Sequence, residues 1–437
     1  MKSIKGCIVH DSSHTARATA IGVIAFIMFA AQLHAQGKAT LLHVFTGGSD
    51  GSYPTASLTA DGAGNLYGTT QTGGTYGNGT VFELSPESGG HWQFSVLHEF
   101  TGGNDGGSPL GSLVFDADGN AYLTVSSGGV HGLGAVIELN PPEGRAPSAW
   151  KAKLLYSFQG GTDGSTPFGN VVFDSAGNLY GTTSIGGHSH INCLQGCGTI
   201  YRLTQTGGGA WREQVLHRFL DAFNEGALPR TGLVFDANGN LYGTTYQGGD
   251  PGCGANACGT VFEFGLDAQG EPHLQTLLAF SGPDGAFPLA GVTLDGKGNL
   301  YTAATFGGSY NEGTVISMTD ATGPWKLASL YSFNGLDGLQ PSGTLALDTS
   351  GNLYGTGYEG GANDWGALFE LMPAGETWTE NLLFSFAVSG VGLGANPLDG
   401  VLLDGAGNLY LTTNQGGNLN YCEPNSGCGT VVEFSAQ

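Results

Sequence analysis

The stretch Asp174-Ser175-Ala176-Gly177-Asn178-Leu179-Tyr180-Gly181-Thr182-Thr183 decides the fold, because versions of it recur seven times along the chain. The steps between successive copies are 55, 58, 62, 59, 53 and 56 residues, counted between Tyr67, Tyr122, Tyr180, Tyr242, Tyr301, Tyr354 and Tyr410. Such a period is too long for one turn of a solenoid and is typical of a four-stranded propeller blade. The sequence therefore predicts an all-β, seven-bladed β-propeller with four antiparallel strands in each blade.

Each repeat contains four short runs of β-forming residues separated by Gly, Pro and Asp. The first run follows a Pro and ends in Asp, as in residues 111–116, and the second reads Asn-Leu-Tyr-Gly-Thr-Thr. The third reads Gly-Thr-Val-Phe-Glu-Leu, as in residues 79–84, and the fourth ends in a Phe. In five repeats a Trp precedes that Phe by eight residues. This even offset places both side chains on one side of a strand, where we expect them to pack between blades.

The turn between the first and second runs reads Asp-x-x-Gly-Asn in all seven repeats. We expect the Asp side chain to cap this turn and the Gly to adopt a positive φ. The copy Asp116-Ala117-Asp118-Gly119-Asn120 resembles part of a calcium loop. It lacks the remaining ligands and the closing Glu of such a loop, so the turn is predicted to be structural.

The two ends of the repeat region predict how the ring closes. The region begins with a lone fourth run, residues 41–45, and finishes on a third run, residues 429–434. If residues 41–45 supply the outer strand of the last blade, the ring closes and the two edges of an open array are avoided. We therefore predict one closed domain over residues 36–437, acting as a monomer.

The first 35 residues read as a secretory signal peptide. Lys2, Lys5 and Arg17 make a basic region, residues 18–31 are apolar, and residues 33–35 offer a cleavage site before Gln36. An uncleaved N-terminal anchor is the alternative, although the apolar run is short for a membrane span. No second run of spanning length follows. The expectation is therefore a secreted protein, extracellular or periplasmic, that does not insert into a membrane after cleavage.

The charge of the mature chain excludes two classes of partner. Residues 36–437 contain 10 basic and 35 acidic residues, a net charge of −25. Nucleic acids and anionic membranes require a basic face, so neither is expected as a partner. Charged residues make up only 11% of the chain, and 79 residues are Gly. This composition favours an all-β protein with tight turns over a disordered one.

The combined motifs resemble the GloVer tandem-repeat family of exported bacterial proteins. Residues 67–70, 180–183 and 242–245 are the cleanest copies of Tyr-Gly-Thr-Thr, and the resemblance covers nearly all of residues 41–434. The resemblance implies secretion and a repeat fold, but it brings no agreed activity and no catalytic residues. Members of that family often end in an anchoring or sorting segment. This sequence has none after its last predicted strand, so surface attachment is not expected.

Six cysteines form three local pairs in the loops between the second and third runs: Cys193 and Cys197, Cys253 and Cys258, and Cys422 and Cys428. These three loops hold 10, 9 and 11 residues, whereas the other four hold four residues each. In an exported protein we expect each pair to form a disulfide that fastens an extended loop. The alternative is a metal site built from His188, His190, Cys193 and Cys197.

A set of acidic residues, which we call the rim acids, lies four residues before the Pro of six repeats: Asp50, Asp105, Asp163, Glu225, Asp284 and Asp337. The seventh repeat has Leu393 at this position. In known propellers this connection lies on the same face as the loops that carry the cysteines. One interpretation is a rim that binds a cation such as Ca²⁺, a sugar or a protein. The other is a turn acid that accepts backbone N–H groups.

No catalytic signature emerges from the sequence. His43, His98 and His217 occupy equivalent positions that other repeats fill with Tyr156, Leu278, Tyr331 and Phe384, which indicates packing. The expected function is binding of an extracellular glycan or protein through the face with the long loops, without catalysis and without a cofactor. One alternative is a carbohydrate-active hydrolase or lyase that uses rim acids such as Asp163 and Asp284. A structural component of the cell envelope is the second alternative.

Overall fold

The computed structural model describes residues 38–142, 150–220, 225–254, 257–266, 271–319, 325–388, 392–422 and 426–435. The predicted signal peptide, residues 1–35, lies outside these residues. Within them the fold is a seven-bladed propeller, and each blade is an antiparallel sheet whose strands we call A to D. No helix in the described part of the chain is long and apolar enough to cross a membrane.

Within each blade the four strands pair side by side in the order A, B, C, D. Blade 1 contains Thr59–Ala60, Leu66–Thr70, Thr80–Pro86 and Trp92–Glu99, and blade 2 contains Val114–Phe115, Ala121–Ser127, Ala135–Asn140 and Lys151–Ser157. Blade 3 contains Val172–Phe173, Leu179–Ile185, Thr199–Gln205 and Trp211–Arg218, and blade 4 contains Val234–Phe235, Leu241–Thr245, Thr260–Leu266 and Pro272–Ala279. Blade 5 contains Thr293–Leu294, Leu300–Ala304, Thr314–Thr319 and Lys326–Ser332, and blade 6 contains Ala346–Leu347, Leu353–Glu359, Ala367–Ala374 and Thr377–Ser385. Blade 7 contains Leu402–Leu403, Leu409–Thr413, Thr430–Phe434 and Ala39–Val44.

Further short elements lie beside the four-stranded sheets. Three strands, Gly107–Pro109, Ser165–Pro167 and Leu339–Pro341, pair with the B strands of blades 2, 3 and 6. In blade 4, Gly226–Ala227 pairs with Gln247–Gly248, and a single 3₁₀ turn covers Pro251–Cys253.

Strand A is shorter than the sequence motif suggests, with only two paired residues in each blade. The three residues after each Pro, which we call the channel segment, line the central axis instead. Neighbouring channel segments approach so closely that a Cβ on Gly111 or Gly343 would collide with backbone atoms of the next blade. Small residues are required at these positions because the seven segments converge on one axis.

The A–B turn is capped as the sequence predicts. In blade 1, Asp61 accepts hydrogen bonds from the backbone N of Ala63 (2.8 Å) and Asn65 (3.0 Å), from Asn65 Nδ2 (2.8 Å) and from the Tyr67 hydroxyl (3.1 Å). Burial opposes ionisation of Asp61, but these hydrogen bonds outweigh it and hold its pKa below the ordinary value. Gly64 completes the turn with φ 85°. Asp116 makes the same set of bonds in blade 2, so both of its carboxylate oxygens serve the turn.

Aromatic side chains fill the space between blades. The Phe that follows each D strand is fully buried in all seven blades: Phe45, Phe100, Phe158, Phe219, Phe280, Phe333 and Phe386. The D-strand Trp contacts the repeat Tyr of the preceding blade, as in Trp150 with Tyr67 and Trp92 with Tyr410, whose ring centroids lie 6.4 and 6.0 Å apart. The prediction that these Trp and Phe residues pack between blades is confirmed.

Each blade is also fastened to the preceding one through the residue before its Pro. These seven residues have φ between 51° and 56°: Tyr53, Ser108, Thr166, Leu228, Phe287, Gln340 and Asn396. In the preceding blade a Gly stands directly before strand C. Each of the seven residues donates its backbone N–H, over 2.7–2.9 Å, to the carbonyl of the residue before that Gly. The Pro ring then lies against that Gly, where a Cβ would collide with the Pro Cδ. We call this set of contacts the blade junction.

The ring closes through the N-terminal strand. Ala39–Val44 pairs antiparallel with Thr430–Phe434, from Ala39 opposite Phe434 to Val44 opposite Thr430. The blade junction also forms here, because Tyr53 donates its N–H to the Cys428 carbonyl (2.9 Å). The predicted closure by residues 41–45 is therefore confirmed, although the paired strand begins two residues earlier and ends one residue earlier.

Deleting residues 36–45 from a protein that spans residues 36–437, the predicted mature form, should destabilise it strongly. The deletion removes the outer strand of blade 7 and the buried Phe45, and it exposes the edge of Thr430–Phe434. Thermal unfolding followed by circular dichroism measures the effect, and deletion of residues 36–37 alone is the control. Equal melting temperatures for the two truncated proteins would contradict closure by this strand.

Replacing Thr166 by Gly should raise the stability of the fold by up to about 1 kcal/mol. A β-branched residue held at positive φ destabilises the folded state by roughly 1–2 kcal/mol. Gly removes this strain, and its greater conformational entropy stabilises the unfolded chain by a smaller amount. The matched control is Thr162→Gly in the same loop, which should be neutral or destabilising because Thr162 has no positive φ. Chemical denaturation measures both variants. Equal loss of stability in the two would show that position 166 is not strained.

Candidate functional site

The B–C loops and the loops that connect one blade to the next lie together at one end of the propeller, which we call the loop face. In six blades the second Gly of the Gly-Gly pair donates its N–H to a carbonyl of the connecting loop, for example from Gly74 N to the Gly48 carbonyl (2.8 Å) and from Gly187 N to the Gly161 carbonyl (2.8 Å). The loop face therefore brings the rim acids and the cysteine-containing loops together, as the sequence predicts.

All three predicted cysteine pairs are disulfide-bonded: Cys193–Cys197, Cys253–Cys258 and Cys422–Cys428. The second cysteine of each pair also supplies the carbonyl of a blade junction, which accepts from Leu228, Phe287 and Tyr53 respectively. Each disulfide thus fastens its long loop at the point where two blades meet. Because Cys193 and Cys197 are bonded to each other, they do not form the alternative metal site with His188 and His190.

Among the described residues, five of the six rim acids accept a backbone hydrogen bond from their own loop. Asp50 accepts from Thr46 N (2.8 Å), Asp105 from Thr101 N (2.9 Å) and Asp163 from Gln159 N (2.7 Å). Asp284 and Asp337 accept in the same way from Ser281 N (2.7 Å) and Asn334 N (3.0 Å). This geometry agrees with a turn acid that satisfies backbone N–H groups. A further role of these acids in binding a cation or a sugar stays a prediction.

Five rim acids also contact a His or Tyr of the preceding D strand. The pairs are His43 with Asp50 (3.4 Å), His98 with Asp105 (3.2 Å), Tyr156 with Asp163 (2.6 Å), His217 with Glu225 (2.6 Å), and Tyr331 with Asp337. The histidines pack as predicted, since His98 lies edge-on against Phe100 at 4.8 Å, but they hold the loop acid as well. The sequence carried a signal for this pairing, because the repeat with Leu393 in place of the acid has Phe384 in place of His or Tyr.

Two glutamates beside the rim acids were missed in the sequence. Glu213 and Glu380 occupy a D-strand position, six residues before the buried Phe, that the other repeats fill with apolar residues. Burial, reinforced by Asp163 for Glu213 and by Asp337 for Glu380, raises the pKa of each glutamate to about 7. The Oε1 atom of each is buried and has no hydrogen-bond partner in the described structure. Each glutamate is therefore half-buried, with one carboxylate oxygen enclosed by the protein.

Large apolar side chains are exposed almost exclusively on the loop face. Of eleven such residues in the described structure, ten lie in its loops: Tyr76, Val130, Leu133, Ile191, Leu194, Leu220, Tyr310, Leu336, Trp365 and Tyr421. Ile191 and Leu194, inside the first disulfide loop, are each 79% exposed. Exposed apolar groups gathered on one face mark an interaction surface.

A cavity of about 480 Å³ lies on the central axis and is lined by the channel segments of all seven blades. Most of its lining is hydroxyl, amide or aliphatic, and the charged residues among it are Arg230 and Asp399. Asp399 accepts hydrogen bonds from Ser57 N and Oγ (2.8 Å each) and from Gly400 N (2.6 Å), so it joins blade 7 to blade 1. Burial raises the pKa of Asp399 despite these hydrogen bonds.

Aromatic residues of blades 3 to 5 surround Arg230 on one side of the cavity. The Arg230 guanidinium carbon lies 4.3 Å from the Tyr246 ring centroid and 5.8 Å from that of Phe168. Tyr246 in turn lies 5.4 Å from Phe287, measured between ring centroids. The channel lining therefore breaks the sevenfold repeat. The sequence analysis did not predict this asymmetry, because the residue after each Pro varies among the repeats and belongs to no repeated motif.

Replacing Glu213 and Glu380 together by Gln should stabilise the protein more at pH 8 than at pH 5. A glutamate with a folded pKa of about 7 ionises more readily in the unfolded chain, where its pKa is about 4.3. Its contribution to stability is therefore complete below pH 4.3 and is lost as the pH rises through 7. Melting temperatures across this range test the prediction, with the exposed Glu376→Gln as the control. A pH-independent effect of the double variant would contradict it.

Comparisons with known proteins place the chain in a family. A model of the Gloeobacter/Verrucomicrobia repeat matches residues 27–256 and 252–437. No curated protein sequence matches the chain.

Among solved structures, the chain is similar to an extracellular domain assigned to a hybrid two component system of B. thetaiotaomicron. The TM-score is 0.54 with 12% identity, and the match covers 91% of this chain and 40% of that one. A second B. thetaiotaomicron extracellular domain, assigned to a one component system, gives 0.53 with 12% identity, covering 92% of this chain and 40% of that one. A protein of Bacteroides fragilis assigned as a 6-phosphogluconolactonase gives a TM-score of 0.47 with 15% identity, covering 86% of this chain and 88% of that one.

The chain thus spans less than half of the B. thetaiotaomicron proteins, and identities this low indicate likeness of fold alone. The family match, in contrast, extends over nearly the whole chain in two tandem parts, and the protein belongs to the Gloeobacter/Verrucomicrobia repeat family.

Proposed function

We propose that this protein is an exported, non-enzymatic binding protein that recognises an extracellular glycan through its loop face. The observation that carries the proposal is the gathering of ten exposed large apolar side chains on that face. Three disulfides on the same face agree with export to an oxidising compartment, either outside the cell or in the periplasm.

Four exposed aromatic residues at the tips of B–C loops favour a sugar over an apolar partner. Tyr76, Tyr310, Trp365 and Tyr421 are between 39% and 62% exposed. The negative faces of aromatic rings attract the C–H groups that line one side of a sugar ring. Each of the four aromatics also has an Asn within two residues in the sequence, and an amide can donate to and accept from sugar hydroxyls.

The positions of the acidic residues favour binding over catalysis. A hydrolase or lyase requires carboxyl groups that reach the substrate in two different protonation states. Five of the six rim acids instead accept hydrogen bonds from their own loops, and the Oε1 atoms of Glu213 and Glu380 are buried. These contacts support a role for the carboxyl groups in shaping the loop face.

Replacing the four tip aromatics by Ala should abolish glycan binding without unfolding the propeller, because these side chains are exposed. The measurement is binding of the purified mature protein to an array of neutral and acidic oligosaccharides, with Ca²⁺ and with a chelator, while product release is monitored. The control is Leu327→Ala, since Leu327 is 39% exposed but lies at the start of a D strand, outside the loop face.

Three results would count against the proposal. Release of shortened or unsaturated products, lost in Asp163→Asn or Asp284→Asn variants, would establish an enzyme. Unchanged glycan binding by the four-Ala variant would remove the loop-tip aromatics from the site. Equal loss of binding in Leu327→Ala would indicate a general defect in place of a defined surface.

A further inference from the structure

Within the described residues, Arg230 is a cation without an anionic partner in a strongly acidic protein. Its Nε is buried and makes no hydrogen bond, and no carboxylate lies within ion-pair distance of its guanidinium in the described structure. The aromatic rings of Tyr246 and Phe168 hold it instead. Arg230 is half-buried at the cavity wall, with its Nε fully buried, so its charge is partly desolvated and has no counter-charge. Partial burial of an unpaired charge is unfavourable, and an anion bound in the cavity would compensate for it.

The propeller fold does not require an Arg at this place. The equivalent residue, directly after the Pro of each repeat, is Thr55, Leu110, Phe168, Leu289, Ser342 or Leu398 in the other six blades. All seven residues line the same cavity, and those six are polar or apolar but uncharged. Blade 4 is thus the single blade with a charge at this position, although it makes the same blade junction as the others.

The rest of the cavity suits a ligand that carries hydroxyl groups. Thr55 Oγ1 is buried and has no hydrogen-bond partner in the described structure, and the Ser112 and Asn170 side chains also line the wall. The volume of about 480 Å³ falls within the range of small-molecule sites. The other charged group, Asp399, is occupied by Ser57 and Gly400, so it does not compete for Arg230.

We propose that the axial cavity binds a carboxylated sugar, with the carboxylate on the Arg230 guanidinium. This inference rests on the proposed glycan-binding function and names the ligand class of a second, deeper part of the same face. The planar guanidinium accommodates a carboxylate through two parallel hydrogen bonds. The sugar ring lies against Phe168, and its hydroxyl groups contact Thr55, Ser112 and Asn170, while Tyr246 holds the guanidinium in place from outside the cavity lining.

The test is calorimetric titration of the mature protein with digalacturonic acid, with its dimethyl ester and with a neutral disaccharide. The variant is Arg230→Leu, which installs the residue that three other blades carry and so preserves the fold. We expect Arg230→Leu to weaken binding of the diacid by about tenfold or more, and to leave binding of the ester and the neutral sugar unchanged. Arg230→Lys should also weaken it, because an ammonium group lacks the planar fork.

Several outcomes would overturn the inference. One is equal affinity of wild type for the acid and its ester, and another is unchanged affinity of Arg230→Leu for the acid. A third is displacement of the bound diacid by inorganic phosphate at concentrations similar to those of the diacid itself, which would indicate a general anion site. The loop-tip variant separates this inference from the proposed function. If tip aromatics are required for neutral glycans while Arg230 has no effect on acidic ones, the function stands and the carboxylate site does not.

Discussion

The blade junction is the constraint on which the rest of the propeller depends. In every blade a residue directly before a proline is held at positive φ, in a conformation that sterics disfavour. The conformation persists because it lets the backbone N–H donate a hydrogen bond to a carbonyl of the preceding blade. It also packs the Pro ring against a glycine of that blade. Seven such contacts, one of them between blade 7 and blade 1, turn a row of sheets into a closed ring.

The junction also explains where the chain is free to vary. Its Pro and Gly recur in every repeat, whereas its hydrogen bond uses backbone atoms and therefore tolerates any side chain. The residue before the Pro, the B–C loop tips and the first residue of each channel segment all vary. Long disulfide-bonded loops occur in three blades, and in each the second cysteine supplies the junction carbonyl, so the disulfide ties the loop to the junction. Variation confined to one face and to the axis allows a rigid frame to carry a specific recognition surface.

The charged residues of the propeller differ in whether they stabilise the fold or are free to bind a ligand. The rim acids recur in six of the seven repeats. Five of them pair with a His or Tyr of the preceding strand, and five accept a backbone N–H of the connecting loop. Glu213, Glu380 and Asp399 break the repeat, yet they face the protein or join two blades. Arg230 also breaks the repeat, but it faces a cavity and has no anionic partner among the described residues. Of these four charged residues, it is therefore the one placed to meet a ligand.

The sequence by itself determined the blade count, the order of the four strands, the closure by the N-terminal strand and the three cysteine pairs. The repeated motif fixes the first two features, and the incomplete repeats at the two ends of the repeat region predict the closure. The paired cysteines are at most six positions apart, so their pairing is a local property. Tertiary structure alone decided the contacts of Arg230 with Tyr246, and of Ser57 with Asp399, which lie 342 residues apart. Such contacts exist because the closed ring brings the seven variable channel segments together at one axis. The repeated motif shows what the blades have in common, but it does not show which variable residues come into contact.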